Sequence, residues 1–161
     1  PELVVAEYRR LHPQYSASDA FFAATTASRS WRGAVIELEA RSHVAAETYA
    51  YQLDWPSPAD GGKWGACHGL DIPLVFGTLD APDSLTGSGA DAQSVSRQVG
   101  DAFLAFARAG NPNHAGLPQW RPYRLEERAT MIFDLQSRPM NDPRREERRL
   151  FEKVPFIQQG T

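Results

Sequence analysis

Thr48-Tyr49-Ala50-Tyr51-Gln52-Leu53-Asp54-Trp55 alternates bulky apolar side chains with small or polar ones, and Pro56 and Pro58 end the pattern. A period of two predicts a β-strand with one strongly aromatic face. After a turn-rich connection over Ser57 to Gly62, the chain reads Gly65-Ala66-Cys67-His68-Gly69-Leu70-Asp71-Ile72-Pro73-Leu74-Val75-Phe76-Gly77. Gly65, Ala66 and Gly69 leave space around a single imidazole, while Ile72, Leu74, Val75 and Phe76 can anchor the segment in a core. A histidine held in this way is a candidate acid/base, because its charge changes near neutral pH.

On the amino-terminal side, Val4, Tyr8 and Leu11 recur at helical spacing until Pro13. Ser18-Asp19 reads as the N-cap of a second helix containing Phe21 and Phe22, and a third runs from about Ser30 to Arg41 with Trp31, Val35 and Leu38 on one side. On the carboxy-terminal side, Asp80 to Gly89 is a loop, and Val95, Val99, Ala102, Phe103 and Phe106 form the apolar stripe of a helix over 91–109 that Gly110 stops. Asn111-Pro112-Asn113 is a turn, Thr130-Met131-Ile132-Phe133 a second strand, and about Pro143 to Lys153 a last helix. Helices over 1–45, then strand, histidine loop, helix, strand and helix over 46–161, predict an α/β arrangement in a single piece with one core.

A chain of 161 residues with 42% hydrophobic and 23% charged side chains is an ordinary globular composition. No apolar run approaches the roughly 20 residues of a membrane span. The net charge is -3, and the clustered Arg144, Arg145, Arg148 and Arg149 alternate with Glu146, Glu147 and Glu152, which reads as a solvated helix face and not as a nucleic-acid footprint. Cys67 is the only cysteine, so no internal disulfide can form, which fits a reducing compartment. The amino terminus lacks the pattern of a secretory signal and begins as if mid-protein.

The residues alone leave His68 open between an acid/base and a structural turn, and Asp71 open between pairing with an imidazolium and capping the segment that follows. His12, His43, His68 and His114 lie too far apart in sequence for a paired metal-ligand motif, and no metal or other cofactor is expected. Cys67 has small apolar neighbours that suit an inert thiol. Thr86-Gly87-Ser88-Gly89-Ala90 has its glycines at the wrong offsets for a nucleophile elbow, and Gly61-Gly62-Lys63 lacks the rest of a phosphate-binding loop.

Taken together, the strand, the Gly65–Gly77 run, Phe106-Ala107-Arg108-Ala109-Gly110-Asn111-Pro112-Asn113, Trp120-Arg121-Pro122-Tyr123 and Met131-Ile132-Phe133-Asp134 resemble, in order, the carboxy-terminal part of the type-B carboxylesterases. That family includes bacterial para-nitrobenzyl esterases and the cholinesterases, and the resemblance covers about residues 15 to 153. It implies the carboxy-terminal portion of an α/β-hydrolase fold, a small carboxylic ester as substrate, His68 as catalytic base and Asp71 in a supporting position beside the site. In such enzymes the serine and the acid precede the histidine, the acid by roughly a hundred residues, against the 67 available here. The resemblance therefore implies a chain inactive alone, lacking nucleophile, acid and oxyanion hole, that self-associates or pairs with an amino-terminal part. The alternative is a non-catalytic cholinesterase-like binding or self-associating module. Absence of a cysteine pair tilts towards a bacterial, cytoplasmic enzyme.

Overall fold

The computed structural model of the protein describes residues 1–156. Along the chain lie α1 (Glu2–Leu11), α2 (Ala17–Thr26), a π-helical segment (Ala27–Trp31), α3 (Arg32–Arg41), β1 (Ala50–Leu53), a 3-10 turn (Ala59–Gly62), α4 (Asp71–Phe76), α5 (Ala90–Ala109), β2 (Ala129–Phe133), β3 (Arg138–Asn141) and α6 (Arg145–Glu152). They form two compact units, one of residues 46–141 and one joining residues 1–45 to the segment from Asp142. Length alone suggests one core, whereas the described apolar residues gather in two clusters, one in each unit. No helix among the described residues is long and apolar enough to cross a membrane.

In the unit of residues 46–141, the aromatic strand forms at the centre of the alternating stretch, over Ala50–Leu53 and not over all of residues 48–55, and β1 pairs in parallel with β2 from Ala50 opposite Thr130 to Leu53 opposite Phe133. Two parallel neighbours need a long crossover, which α4 and α5 supply. The alanine, valine and glycine stripe of α5 decides how closely these helices meet. Val95 and Val99 are buried, Ser96 Oγ donates to the Leu74 carbonyl at 2.8 Å, and a Cβ on Gly100 would stand 3.1 Å from the Val75 carbonyl. Helix α5 ends where expected, with Gly110 in the left-handed conformation at φ 68°. Leu74, Val95, Val99, Trp55, Trp120, Met131 and Phe133 make the core of this unit.

All five residues of β2 are buried, and the apolar run Met131-Ile132-Phe133 is the reason it forms the centre of the sheet. Its other neighbour, β3, is absent from the sequence reading. It pairs antiparallel with β2, from Ala129 opposite Asn141 to Ile132 opposite Arg138, and all four of its residues are exposed. Arg138 and Pro139 give it no alternation, and a proline is tolerated only in an edge strand of this kind.

In the helical unit, Tyr8 of α1 packs with Ala27, Leu150 and Phe151. Helix α2 starts two residues earlier than Ser18 suggests. Ser16 is the N-cap, its Oγ accepting from the Asp19 amide at 3.2 Å while Asp19 Oδ2 accepts from the Ser16 amide at 3.0 Å, a reciprocal capping box. The predicted start of the third helix at Ser30 falls inside the π-helical segment, which carries α2 into α3 without interruption.

The charge-rich α6 also departs from a solvated face, because Glu147 is only 7% exposed. Tyr8 Oη donates to Glu147 Oε2 at 2.5 Å, Arg144 Nε to Oε1 at 3.0 Å, Arg144 Nη2 also donates to Oε2, and His12 Nε2 stands 3.6 Å from Oε1. The Arg144 guanidinium lies 4.3 Å from the centre of the Trp31 ring. Burial by itself would push the Glu147 carboxyl up, but the Arg144 and Tyr8 hydrogen bonds and the Arg144 and His12 charges outweigh it and hold the group below its ordinary value. A carboxyl depressed in the folded state contributes stability above its unfolded pKa and loses it as pH falls through the folded value. Glu147→Gln is therefore expected to destabilise this unit by about 2–4 kcal/mol near neutral pH, with the difference from the parent shrinking as pH falls below the ordinary carboxylate range. Hydrogen exchange of α1 and α6 amides at two pH values measures both effects.

Candidate functional site

The loop that carries His68 is tied down before it begins. Buried Ser57 donates from its amide to the Gly65 carbonyl at 2.9 Å and from Oγ to the Leu85 carbonyl at 2.6 Å, which joins the start of the histidine loop to the loop before α5. Past Gly65 the backbone makes two successive tight turns, with the Leu70 amide donating to the Cys67 carbonyl and the Ile72 amide to the Gly69 carbonyl, each at 3.2 Å. Leu70 is buried and Cys67 packs against the same cluster, so both flanks of His68 face the core. His68 itself is exposed. Among the described residues its ring has no hydrogen-bonding side chain, and the glycine-flanked opening read from the sequence is present.

Asp71 does neither of the things the sequence left open. It is the first residue of α4, the N-cap is Leu70 and makes no side-chain cap bond, and the carboxylate turns to the sheet, where Asp71 Oδ2 accepts from Tyr51 Oη at 2.8 Å. Partial burial of the ring against Phe103 and Phe133 first, then the Asp71 hydrogen bond and charge, push the Tyr51 hydroxyl above its ordinary value, so Tyr51 keeps its proton and donates it in the hydrogen bond to Asp71. Tyr51 is the residue the sequence reading misses at this site, where it counts only as part of an aromatic face. The available signal is a tyrosine instead of a phenylalanine at a position whose ring packs, edge on, against Phe103 and Phe133.

The same ring helps to line an apolar cavity of about 200 Å³ between β1 and α5, walled also by Tyr49, Phe103, Phe106 and Trp120. Tyr49 Oη, at its margin, donates to Glu47 Oε2 at 3.1 Å. Cys67 and Ser88 lie where the sequence puts them, the thiol half-buried beside His68 and Ser88 in the loop before α5, its carbonyl accepting from Gln93.

Residues 6–151 match the family described as the carboxylesterase family. The para-nitrobenzyl esterase of Bacillus subtilis (strain 168) is 34% identical over 121 residues, which cover 73% of this chain and 24% of that protein. The phenmedipham hydrolase of Pseudarthrobacter oxydans is 36% identical over 90 residues, 52% of this chain and 18% of that one. Among solved structures, the Geobacillus stearothermophilus carboxylesterase EST55 superposes with a TM-score of 0.78 at 26% identity, covering 94% of this chain and 32% of its own. A thermophilic PNB esterase gives 0.70 at 28% identity, covering 91% and 30%. The helices and mixed sheet are thus part of an α/β-hydrolase fold, and the matches cover between 18% and 32% of the length of these relatives.

The turn itself depends on Gly69, whose φ is +77° and whose missing Cβ would meet nothing nearer than Ile72 Cδ1 at 3.9 Å. Space is therefore not the constraint; the left-handed conformation is. Gly69→Ala is expected to cost about 1–2 kcal/mol and Gly69→Asn less, in denaturant unfolding followed by circular dichroism.

Proposed function

Since this chain belongs to the carboxylesterase family, we propose that it is the carboxy-terminal portion of a serine carboxylic-ester hydrolase and that His68 is the catalytic base of that enzyme. The observation that supports this reading is an exposed imidazole on a turn anchored by buried Leu70 on one side and half-buried Cys67 on the other, within the matched residues. A general base has to be fixed in position and yet reachable by substrate. A ring free of hydrogen bonds among the described residues can take one partner on each nitrogen: a serine hydroxyl on one side and an orienting carboxylate on the other.

In the reaction proposed, the imidazole takes the serine proton as Oγ bonds to the ester carbonyl carbon. It returns that proton to the departing alcohol as the ester C–O bond breaks. Water then repeats the sequence, giving its proton to the ring as it attacks the acyl-enzyme, and the acid and the free serine are released. The serine, the acid and the oxyanion hole belong to polypeptide on the amino-terminal side of this chain, and the substrate is a small carboxylic ester. Asp71 serves as a support for the turn and not as the acid of the triad, since its carboxylate is engaged by Tyr51.

The amino-terminal part is also the partner best suited to β1. This strand ends the described sheet, with its outer edge unpaired, and Tyr51, Phe103 and Phe106 expose apolar surface near it. The isolated chain is expected to show no turnover or burst with a para-nitrophenyl ester, and serine-dependent burst kinetics from it alone would overturn the division of the site. In the ester hydrolase that contains this chain, His68→Ala is expected to lower kcat by several orders of magnitude. Turnover within tenfold of the parent would remove His68 from the reaction and favour a non-catalytic binding module.

A further inference from the structure

We propose that Tyr51 is a positioning residue for the histidine turn, its hydroxyl holding Asp71 at 2.8 Å and so fixing the first residue of α4, and with it His68, to the sheet. The inference rests on the reading of His68 as the base of an ester hydrolase.

Besides its own backbone bonds, the turn is held to the rest of the unit upstream, in the middle and downstream, by restraints that differ in kind. Upstream, the Ser57 amide holds the Gly65 carbonyl. In the middle, Cys67 and Leu70 are kept by packing, which is non-directional and tolerates small slides of the backbone. Downstream, the Tyr51 hydroxyl is a directional bond from the sheet to the segment that follows His68. Its far end is rigid. The Tyr51 backbone pairs with Met131 in the buried β2, and its ring meets Phe133 edge on at 5.7 Å and Phe103 at 5.6 Å between centroids. Its near end is also short, because Asp71 has a single methylene between backbone and carboxylate and begins a helix. A movement of Tyr51 is therefore passed to α4 with little slack.

Loss of this bond leaves the start of α4 with backbone and packing restraints only, since the other side-chain bond to α4, from Ser96 Oγ to the Leu74 carbonyl at 2.8 Å, is made one turn further along. A base that takes a serine proton works within roughly 2.6–3.2 Å of it, and a misplacement of about 1 Å can cost a hundredfold in rate. The Tyr51 hydroxyl gives its one proton to Asp71, and Tyr51→Phe keeps the ring that lines the apolar cavity, so removal of the hydroxyl should act mainly on kcat and little on KM.

The test is made in the ester hydrolase that contains this chain, with a para-nitrophenyl ester. Tyr51→Phe keeps the ring packing and is expected to lower kcat about five- to tenfold, with KM within about twofold and an unchanged melting temperature. Asp71→Asn should give a similar fall. The double variant should be no worse than the poorer single, since both break one bond, and Asp71→Glu should keep more activity than Asp71→Asn. Tyr51→Phe with kcat within twofold of the parent, or with kcat falling only in step with the melting temperature, would overturn the proposal, as would additive losses in the double variant. His68→Ala is the separate control. If it keeps turnover the ester-hydrolase reading falls and takes this inference with it, and if it abolishes turnover while Tyr51→Phe does not, only the positioning role is lost. In the isolated chain, the Ile72 amide should exchange about tenfold faster in Tyr51→Phe while central α5 amides are unchanged, and an unchanged Ile72 rate would equally count against the proposal.

Discussion

Phe133 is the residue on which the sheet and the histidine loop both depend. Its carbonyl accepts two amides, from Asp54 at 2.8 Å and from Trp55 at 3.1 Å, at the point where β1 ends and the chain turns away. Its ring, fully buried, meets Tyr51 at 5.7 Å and Trp120 at 5.6 Å, both edge on. One residue thus closes the parallel pairing, directs the chain towards His68 and supports the ring whose hydroxyl holds Asp71. Its strand is buried along its whole length, so a slip of register would strand polar backbone groups in the core.

Much of this was legible because the strongest sequence patterns coincide with the elements that bury most. The stripe of α5 over residues 91–109 gives a helix within one residue of its true bounds, and the aromatic alternation after Thr48 gives β1. Legibility fails where a side chain is settled by a partner far along the chain. Glu147, read among alternating charges as solvated, is buried because Tyr8 and Arg144 satisfy it, and Tyr8 lies 139 residues away. β3 forms because β2 offers it a free edge and not because Arg138 and Pro139 favour a strand. The cap at Ser16 is an exception, since the Ser-x-x-Asp spacing that marks it is local and competes with the adjacent Ser18-Asp19 pair.

At the site the division is the same. Glycines around a histidine are a local signal, and they locate an exposed ring on a turn. The engagement of Asp71 depends on a tyrosine 20 residues earlier, so spacing alone kept capping and imidazolium pairing in play when the carboxylate does neither.

The π-helical segment between α2 and α3 carries a further consequence. Each residue of an α-helix turns the chain by about 100°, and a π-turn accommodates one more residue per turn than an α-turn does. The continuous rod from Ala17 to Arg41 therefore has a phase shift in its middle, and a stripe that begins on one face of α2 does not continue on the same face of α3. A single substitution pattern spaced at 3.6 residues thus cannot serve both halves: positions that share a face in α2 are offset from those that share a face in α3.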